Sequence, residues 1–461
     1  MISVSGMRGH VGTDLTPELV ARHAAALGAW VRTSSAGQTA AARRERPRPA
    51  VVLGRDSRTS GPMFASAAAA GFMSVGVDVI DVGVVPTPTV QMAVEHHHAG
   101  AGLILTASHN PIEWNALKFV GPDGIFLDDE AGSRVRALAE AGPPRMGWDG
   151  LGTLSEDREA VARHLDAVLA LPVIDVAAIR ARRFHVALDC VRGAGASAIP
   201  PLLERLGCRM SAINLEPDGR FPRAPEPVPE NLGDLGALVL ESGAAVGLAV
   251  DPDVDRLALV DERGHPIGED YTLAFAVRAV LDGRGSAAEH PTVVVNLSTS
   301  LVVEDAARAA GARLVRAPVG EANVARAIRD EGAVVGGEGN GGVILPALHI
   351  GRDAPLGVAL ILHLLAKSGV SVSDLVASAP RYTIVKAKGP RGPELRPLYD
   401  RLRTRFPDAG TDERDGLRLS WRDRWLHVRP SGTEPIVRLI AEAPTAGEAE
   451  ALVAAARELL H

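Results

Sequence analysis

Cysteine is scarce in this chain: the 461 residues contain two, Cys190 and Cys208. Without close metal-ligand spacing they offer neither a disulfide framework nor a zinc site, and both read as core thiols. Aromatic residues make up only 3%, so the cores must be built mostly of Ala, Val and Leu. No uninterrupted apolar run reaches the ~18 residues of a membrane span, and the opening segment Met1 to Gly9 lacks the apolar stretch of a signal peptide. The expectation is a cytoplasmic protein with no membrane partner. An excess of basic charge is missing too: the formal net charge is -7, which leaves no electrostatic footprint for nucleic acid. Anionic ligands have to be met by local Arg and Lys.

What is present is globular: 46% hydrophobic and 23% charged residues, over a length that corresponds to about three or four ordinary domains. The first third alternates strand-like runs (50–53, 77–82, 103–106) with small-residue helical stretches (61–75, 87–95), an α/β pattern. Residues 34–49, rich in Ala, Arg and Pro, read as an exposed excursion, and 142–152, with paired prolines and several glycines, as a first boundary. A second α/β unit follows (helix 157–169, strand 185–189, helix 198–206, strand 245–250), then a third (strand 292–297, helices 302–309 and 322–329). Beyond residues 367–372 the pattern changes to strand, helix, three strands and a last helix. The expected division is 1–150, 151–258, 259–370 and 371–461, three similar mixed α/β domains and a smaller C-terminal α+β domain around a central cleft.

Five segments carry chemistry. Thr106-Ala107-Ser108-His109-Asn110-Pro111 places a hydroxyl beside an imidazole where a short apolar run ends, and Asn110-Pro111 forces a turn. Asp251-Pro252-Asp253-Val254-Asp255-Arg256 sets carboxylates at alternate positions. In an extended segment they would share one face, whereas a turn at Pro252 would gather their oxygens around one cation. Like charges so crowded repel unless a divalent ion neutralises them, and hard oxygen ligands favour Mg²⁺. A calcium loop is the competitor, since Glu262 falls at the twelfth position from Asp251, but Arg256 stands at the sixth, where that loop needs Gly. Gly337-Glu338-Gly339-Asn340-Gly341-Gly342 offers a carboxylate and an amide suited to sugar hydroxyls. Arg429-Pro430-Ser431-Gly432-Thr433-Glu434-Pro435 can aim several donors at a phosphate. Ser5-Gly6-Met7-Arg8-Gly9 is the fifth. Gly54-Arg55-Asp56-Ser57-Arg58 reads instead as a loop with salt-bridged arginines.

In this order and spacing the five segments resemble the α-D-phosphohexomutase superfamily, which includes phosphoglucomutase, phosphomannomutase and phosphoglucosamine mutase, nearly end to end. The resemblance implies that Ser108 carries a phosphoryl group and that Asp251, Asp253 and Asp255 hold Mg²⁺ together with a phosphoserine oxygen. By the same token Arg8, His109, Lys118 and Arg256 would line the transfer site, Glu338 and Asn340 would grip the sugar, and Arg429, Ser431, Gly432 and Thr433 would hold its far phosphate. The chain departs from the commoner pattern at Asn340 (often Ser), Gly342 (often His in bacterial forms), Ala116 (often Gly) and Ala317 (often Thr). The Glu-x-Asn-Gly-Gly form, with Gly351-Arg352-Asp353 downstream, resembles the archaeal-type phosphoglucosamine or phosphomannomutase branch.

The resemblance implies a mutase that moves phosphate between O6 and O1 of a hexose phosphate, foremost glucosamine phosphate. A glucose- or glucosamine-1,6-bisphosphate would serve as intermediate and activator, with Lys118 or His109 handling the hydroxyl proton, in a monomer or homodimer. A phosphatase would not need a second phosphate loop, and a non-catalytic sensor would not need both Ser108 and the complete Asp triad.

Overall fold

Three of the four sheets in the computed structural model share one plan, in which buried parallel strands end in an antiparallel hairpin. The model describes residues 2–3, 6–33, 48–282, 290–392, 394–431 and 436–460. The first sheet comprises β1 (Ile2–Ser3), β2 (Gly6–His10), β3 (Ala50–Arg55), β4 (Asp78–Val84), β5 (Ala101–Leu105), β6 (Trp114–Val120) and β7 (Leu154–Glu156), in the order β1-β2-β6-β5-β3-β4-β7. Strands β5, β3, β4 and β7 run parallel, and β6 returns antiparallel to β5. Successive side chains of a strand face opposite ways, so the continuous apolar runs of β3 and β5 need cover on both faces. Val51, Leu53, Leu103 and Leu105 pack on one side with the helices Pro17–Thr33 and Gly61–Met73. Val52 and Ile104 face the helix Thr87–His96 on the other.

The second sheet contains β8 (His185–Asp189), β9 (Arg209–Ile213), β10 (Val246–Val250) and β11 (Leu257–Val260), ordered β11-β10-β8-β9, with β10 and β11 antiparallel. The third contains β12 (Thr292–Asn296), β13 (Arg313–Ala317), β14 (Val335–Glu338) and β15 (Gly342–Ile344), ordered β13-β12-β14-β15, with β14 and β15 antiparallel. These two sheets share one hydrophobic core. The helices Glu269–Asp282 and Ala354–Ser368 run through it, buried on nearly every side. The sequence reading passed over both helices because a helix wrapped in apolar neighbours has no polar face to mark its period.

The last sheet is antiparallel throughout: β16 (Thr383–Pro390), β17 (Gly410–Asp412), β18 (Leu417–Ser420), β19 (Trp425–Pro430) and β20 (Ile436–Ala443), ordered β16-β20-β19-β18-β17. Leu417, Leu419, Val437, Leu439 and Ala441 face Leu398, Leu402, Leu452 and Val453 of the helices Arg396–Arg405 and Ala446–Glu458. Lys386, Lys388, Arg438 and Ile440 line a cleft.

Sheet pairing departs from the expected divisions at two places. β7 pairs with β4 of the first sheet, so that sheet runs past residue 150, and β11 spans the expected break at 258 while pairing with β10. Cys190 is buried, but Cys208 sits half-buried at the core's edge rather than inside it. Most of the expected excursion at 34–49, residues 34–47, lies outside the described residues. Among the described residues no helix is long and apolar enough to cross a membrane.

Candidate active site

The hairpin that closes each parallel strand set carries one of the sequence motifs. The serine segment connects β5 to β6, the acidic segment connects β10 to β11, and the glycine-rich segment connects β14 to β15. Backbone contacts tie them together. The Leu257 amide donates to the Gly341 carbonyl at 3.0 Å, the Thr87 amide to the Asp253 carbonyl at 2.8 Å, and the Ala354 amide to the Val254 carbonyl at 3.2 Å.

Ser108 is nearly enclosed, at 3% exposure, with φ at 51°. A left-handed serine persists where its surroundings over-determine it. Its amide donates to Thr106 Oγ1 (2.9 Å), whose hydroxyl donates to Asp56 Oδ2 (2.6 Å). Arg58, fully buried, donates from Nη2 to the carbonyls of Ser108 (2.7 Å) and Asn110 (2.6 Å) and from Nη1 to those of Pro111 (2.6 Å) and Trp114 (2.9 Å). Its Nε pairs with Asp56 at 3.0 Å. The salt bridge expected in this segment is there, and it also grips the whole serine loop. Sequence reasoning missed that role, since the acceptors are backbone carbonyls some fifty positions downstream.

The Ser108 hydroxyl donates to Asp251 Oδ2 at 3.0 Å and lies 3.4 Å from His109 Nδ1. The acidic segment adopts the turned alternative, closed by the Val254 amide on the Asp251 carbonyl at 3.1 Å. Val254 holds φ at 62°, a strained angle for a β-branched residue. One oxygen from each of Asp251, Asp253 and Asp255 lies within 4.8 Å of the others, and all three residues are fully buried. Among the described residues no donor hydrogen-bonds to Asp253 Oδ1 or Asp255 Oδ1. Burial first, then the charges of Asp255 and Asp253, push the Asp251 carboxyl well above the usual carboxylate range. A cluster this crowded, with unclaimed hard oxygens, fits a divalent cation.

Cations frame the cluster. Lys118 Nζ lies 2.7 Å from Asp253 Oδ2 and 3.8 Å from Asp255 Oδ2. Burial acts to lower its pKa, but the two aspartates overrule it and keep the ammonium charged. Arg8 donates to Asn110 Oδ1 at 2.7 Å, and Arg256 Nε lies 3.7 Å from Asp255 Oδ1. The charge of Arg256, then burial, then the charge of Arg8 hold His109 well below the ordinary imidazole value, so its ring rests neutral near pH 7.

Glu338, at 4% exposure, has both oxygens engaged. Oε1 accepts from Asn296 Nδ2 (2.9 Å) and the Gly320 amide (3.0 Å), and Oε2 from Arg352 Nη1 (2.8 Å). Burial raises this carboxyl, but Arg352 and those hydrogen bonds outweigh it and keep the group ionised. Asn340 points its amide nitrogen toward Glu338 Oε2 (3.5 Å), and its carbonyl accepts from the Gly342 amide (3.3 Å). In the C-terminal sheet Arg429 Nε pairs with Asp415 Oδ2 at 2.9 Å. Ser431 is buried just beyond β19, and Gly432 and Thr433 lie outside the described residues.

Two adjoining cavities join these groups. One of about 340 Å³ is lined by Arg8, Ser108, His109, Lys118, Arg256 and Arg352. The other, about 1010 Å³, runs from His109 and Arg256 past Glu338 and Asn340 to Arg429. His109, Arg256 and Arg352 line both. A single cleft thus connects the serine with the cationic face of the C-terminal sheet.

Family models match the chain in the same succession: "Phosphoglucomutase/phosphomannomutase, alpha/beta/alpha domain I" at residues 2–145, domain II at 162–264, domain III at 268–382 and the C-terminal domain at 407–459. The chain belongs to the phosphoglucomutase/phosphomannomutase family. It is therefore a phosphohexomutase, an isomerase. A Thermococcus kodakarensis protein named "Phosphoglucomutase/phosphomannomutase" is 37% identical across 95% of this chain and 93% of its own length. A Methanopyrus kandleri protein named "Probable phosphoglucosamine mutase" is 37% identical across 97% and 95%. The crystal structure of a Burkholderia thailandensis member of the family superimposes with a TM-score of 0.84 at 25% identity, covering 100% of this chain and 98% of that one. That of an Aspergillus fumigatus N-acetylphosphoglucosamine mutase, in complex with GlcNAc-6P and magnesium, shares the fold at a TM-score of 0.57 and 16% identity, covering 99% and 95%.

Proposed function

We propose that this phosphohexomutase interconverts glucosamine 6-phosphate and glucosamine 1-phosphate through a phosphorylated Ser108. The observation that carries the reading is the Ser108 hydroxyl 3.0 Å from Asp251 at one end of a cleft whose other end is Arg429. In the forward step the bond from phosphorus to Ser108 Oγ breaks and a bond from phosphorus to the free sugar hydroxyl forms. The proton of that hydroxyl passes by way of His109, whose Nδ1 lies 3.4 Å from Ser108 Oγ, to the departing serine oxygen, while Lys118, Arg8 and Arg256 stabilise the charge on the transferring group. The 1,6-bisphosphate then turns: the bond from its other phosphorus to the sugar oxygen breaks, the bond from that phosphorus to Ser108 Oγ forms, and the serine proton passes back by way of His109 to the departing sugar oxygen. Glu338 and Asn340 hold the ring, and Arg429, Ser431, Gly432 and Thr433 hold the phosphate that is not reacting, whichever end it occupies.

Asp251, Asp253 and Asp255 would hold Mg²⁺, with Ser108 contributing an oxygen once phosphorylated. The ion would supply electrostatic neutralisation of the phosphoryl oxygens. A glucose- or glucosamine-1,6-bisphosphate would serve as activator. The division into four domains near 150, 258 and 370 belongs to the same proposal, with the first two boundaries moved to keep β7 with the first sheet and β11 with the second.

Seven curated relatives, 31–37% identical to this chain, carry the name "Probable phosphoglucosamine mutase", which supports the first reading. One observation favours the second reading, a phosphomannomutase/phosphoglucomutase: the Asn340 carbonyl already accepts from the Gly342 amide, so it does not single out a 2-ammonium group. The test is kcat/KM for glucosamine, mannose and glucose 6-phosphates with saturating Mg²⁺ and bisphosphate. Preference for glucosamine phosphate upholds the reading, and a clearly higher value for mannose or glucose phosphate replaces it with the second.

A further inference from the structure

Arg352, which lines both cavities, distributes its three guanidinium nitrogens among three carboxylates. Nη2 donates to Asp255 Oδ2 at 2.6 Å, Nη1 to Glu338 Oε2 at 2.8 Å and Nε to Glu321 Oε2 at 3.1 Å, while its own amide donates to Glu321 Oε1 at 3.1 Å. Asp255 belongs to the β10–β11 hairpin and Glu338 to the β14–β15 hairpin. One rigid planar cation therefore spans the acidic loop and the sugar loop, a geometry that an ammonium cannot reproduce.

The backbone beside Arg352 is anchored. Asp353 caps the helix Ala354–Ser368 by accepting from the Leu356 amide at 2.8 Å, and its own amide donates to the Val343 carbonyl at 2.9 Å. The side chain then runs across Gly342. A Cβ on Gly342 would stand 2.2 Å from Arg352 Cδ and 2.9 Å from its Cγ. A side chain at 342 and the present course of Arg352 exclude each other.

We propose that Arg352 is a positioning residue that sets the sugar-gripping carboxylate of Glu338 at a fixed distance from the acidic loop, and that the bare Gly342 is what admits it. The inference rests on the reading of Glu338 as the acceptor for sugar hydroxyls. Arg352 acts on substrate through Glu338 and on the acidic loop through Asp255. Its loss must therefore weaken sugar capture without weakening the affinity of the loop for a cation.

The experiment measures kcat and KM for hexose 6-phosphate, and the Mg²⁺ dissociation constant by calorimetry on the full-length enzyme without sugar. The variants are Arg352→Met, Arg352→Lys, Gly342→Ala, Gly342→Ala with Arg352→Met, and Glu338→Gln. The expected result for Arg352→Met is a KM at least tenfold higher, a smaller change in kcat, and Mg²⁺ binding unchanged or tighter, since Asp255 Oδ2 loses a competing cation. Arg352→Lys should fall between it and the unaltered enzyme. Gly342→Ala should reproduce the rise in KM, and adding it to Arg352→Met should change KM by less than twofold. An unchanged KM in Arg352→Met, Mg²⁺ binding weakened in step with KM, or additive effects of the two substitutions would overturn the proposal. Glu338→Gln separates the two readings. If it leaves KM unchanged, the reading of Glu338 fails; if it raises KM while Arg352→Met does not, only the inference fails.

Discussion

Ser108 is held from behind by a side chain that is not among those lining either cavity. Arg58 binds four carbonyls of the serine loop and pairs with Asp56, both side chains being fully buried. Arg58→Met would leave the Asp56 carboxylate without its cation and the loop carbonyls without donors. The expected cost is about 3–5 kcal/mol of stability, the usual consequence of breaking a buried pair from one side. It should be read as a lowered thermal midpoint, accompanied by a fall in kcat larger than the rise in KM as Ser108 loses its fixed angle. An unchanged midpoint would show that the guanidinium contributes nothing to the loop. Residues of this kind were not legible in the sequence. Ser108, Asp251, Asp253, Asp255 and Glu338 stand in contiguous strings, and the resemblance to a family can be read from such strings. Arg58, Glu321 and Arg352 draw their meaning from partners that only folding brings near.

Each chemical loop is the hairpin of its own sheet, so loop position is a property of strand pairing. The β14–β15 hairpin rests on β11 through the Gly341 carbonyl and the Leu257 amide, and Gly341 has φ at 87°, a region that favours glycine. A Cβ there would stand 2.3 Å from the Leu257 carbonyl oxygen. Gly341→Ala should therefore push β14–β15 away from β11, raising the KM for hexose phosphate severalfold while Mg²⁺ affinity at the acidic loop stays within about twofold. Equal weakening of both would mean that the two hairpins move as one body. At this scale strands were the more legible elements. Buried parallel strands are short apolar runs bounded by turn residues, and 185–189 and 292–297 were placed almost where they occur. The helices Glu269–Asp282 and Ala354–Ser368 were not, because apolar residues on all sides erase the periodicity that marks a surface helix.

Across the whole molecule the candidate site is assembled from separate sheets, and several side chains join the C-terminal sheet to the rest. One is His427, wholly buried, whose Nε2 donates to the Asp415 carbonyl at 2.7 Å and whose Nδ1 lies 2.8 Å from the Ser298 hydroxyl beyond β12. Burial, chiefly, pulls its pKa down to about 4. The unfolded chain, with an ordinary imidazole, binds a proton at higher pH than the folded one, so this contribution is intact above about pH 6.5 and is lost as the pH falls toward 4. The slope is at most about 1.4 kcal/mol per pH unit in that window. Urea midpoints between pH 7 and 5 should fall less steeply for His427→Gln than for the unaltered protein, and parallel slopes would dismiss the histidine as the cause. Arg429→Ala should raise the KM for hexose phosphate at least tenfold without altering Mg²⁺ affinity, and unchanged kinetics would remove that strand end from the site. The central claim is that Ser108 carries the phosphoryl group, and intact mass addresses it most directly. The purified enzyme treated with glucose 1,6-bisphosphate should show an adduct of ~80 Da that Ser108→Ala lacks, together with a loss of turnover on the order of 10⁴-fold or more in that variant. The same adduct and comparable turnover in Ser108→Ala would contradict the account.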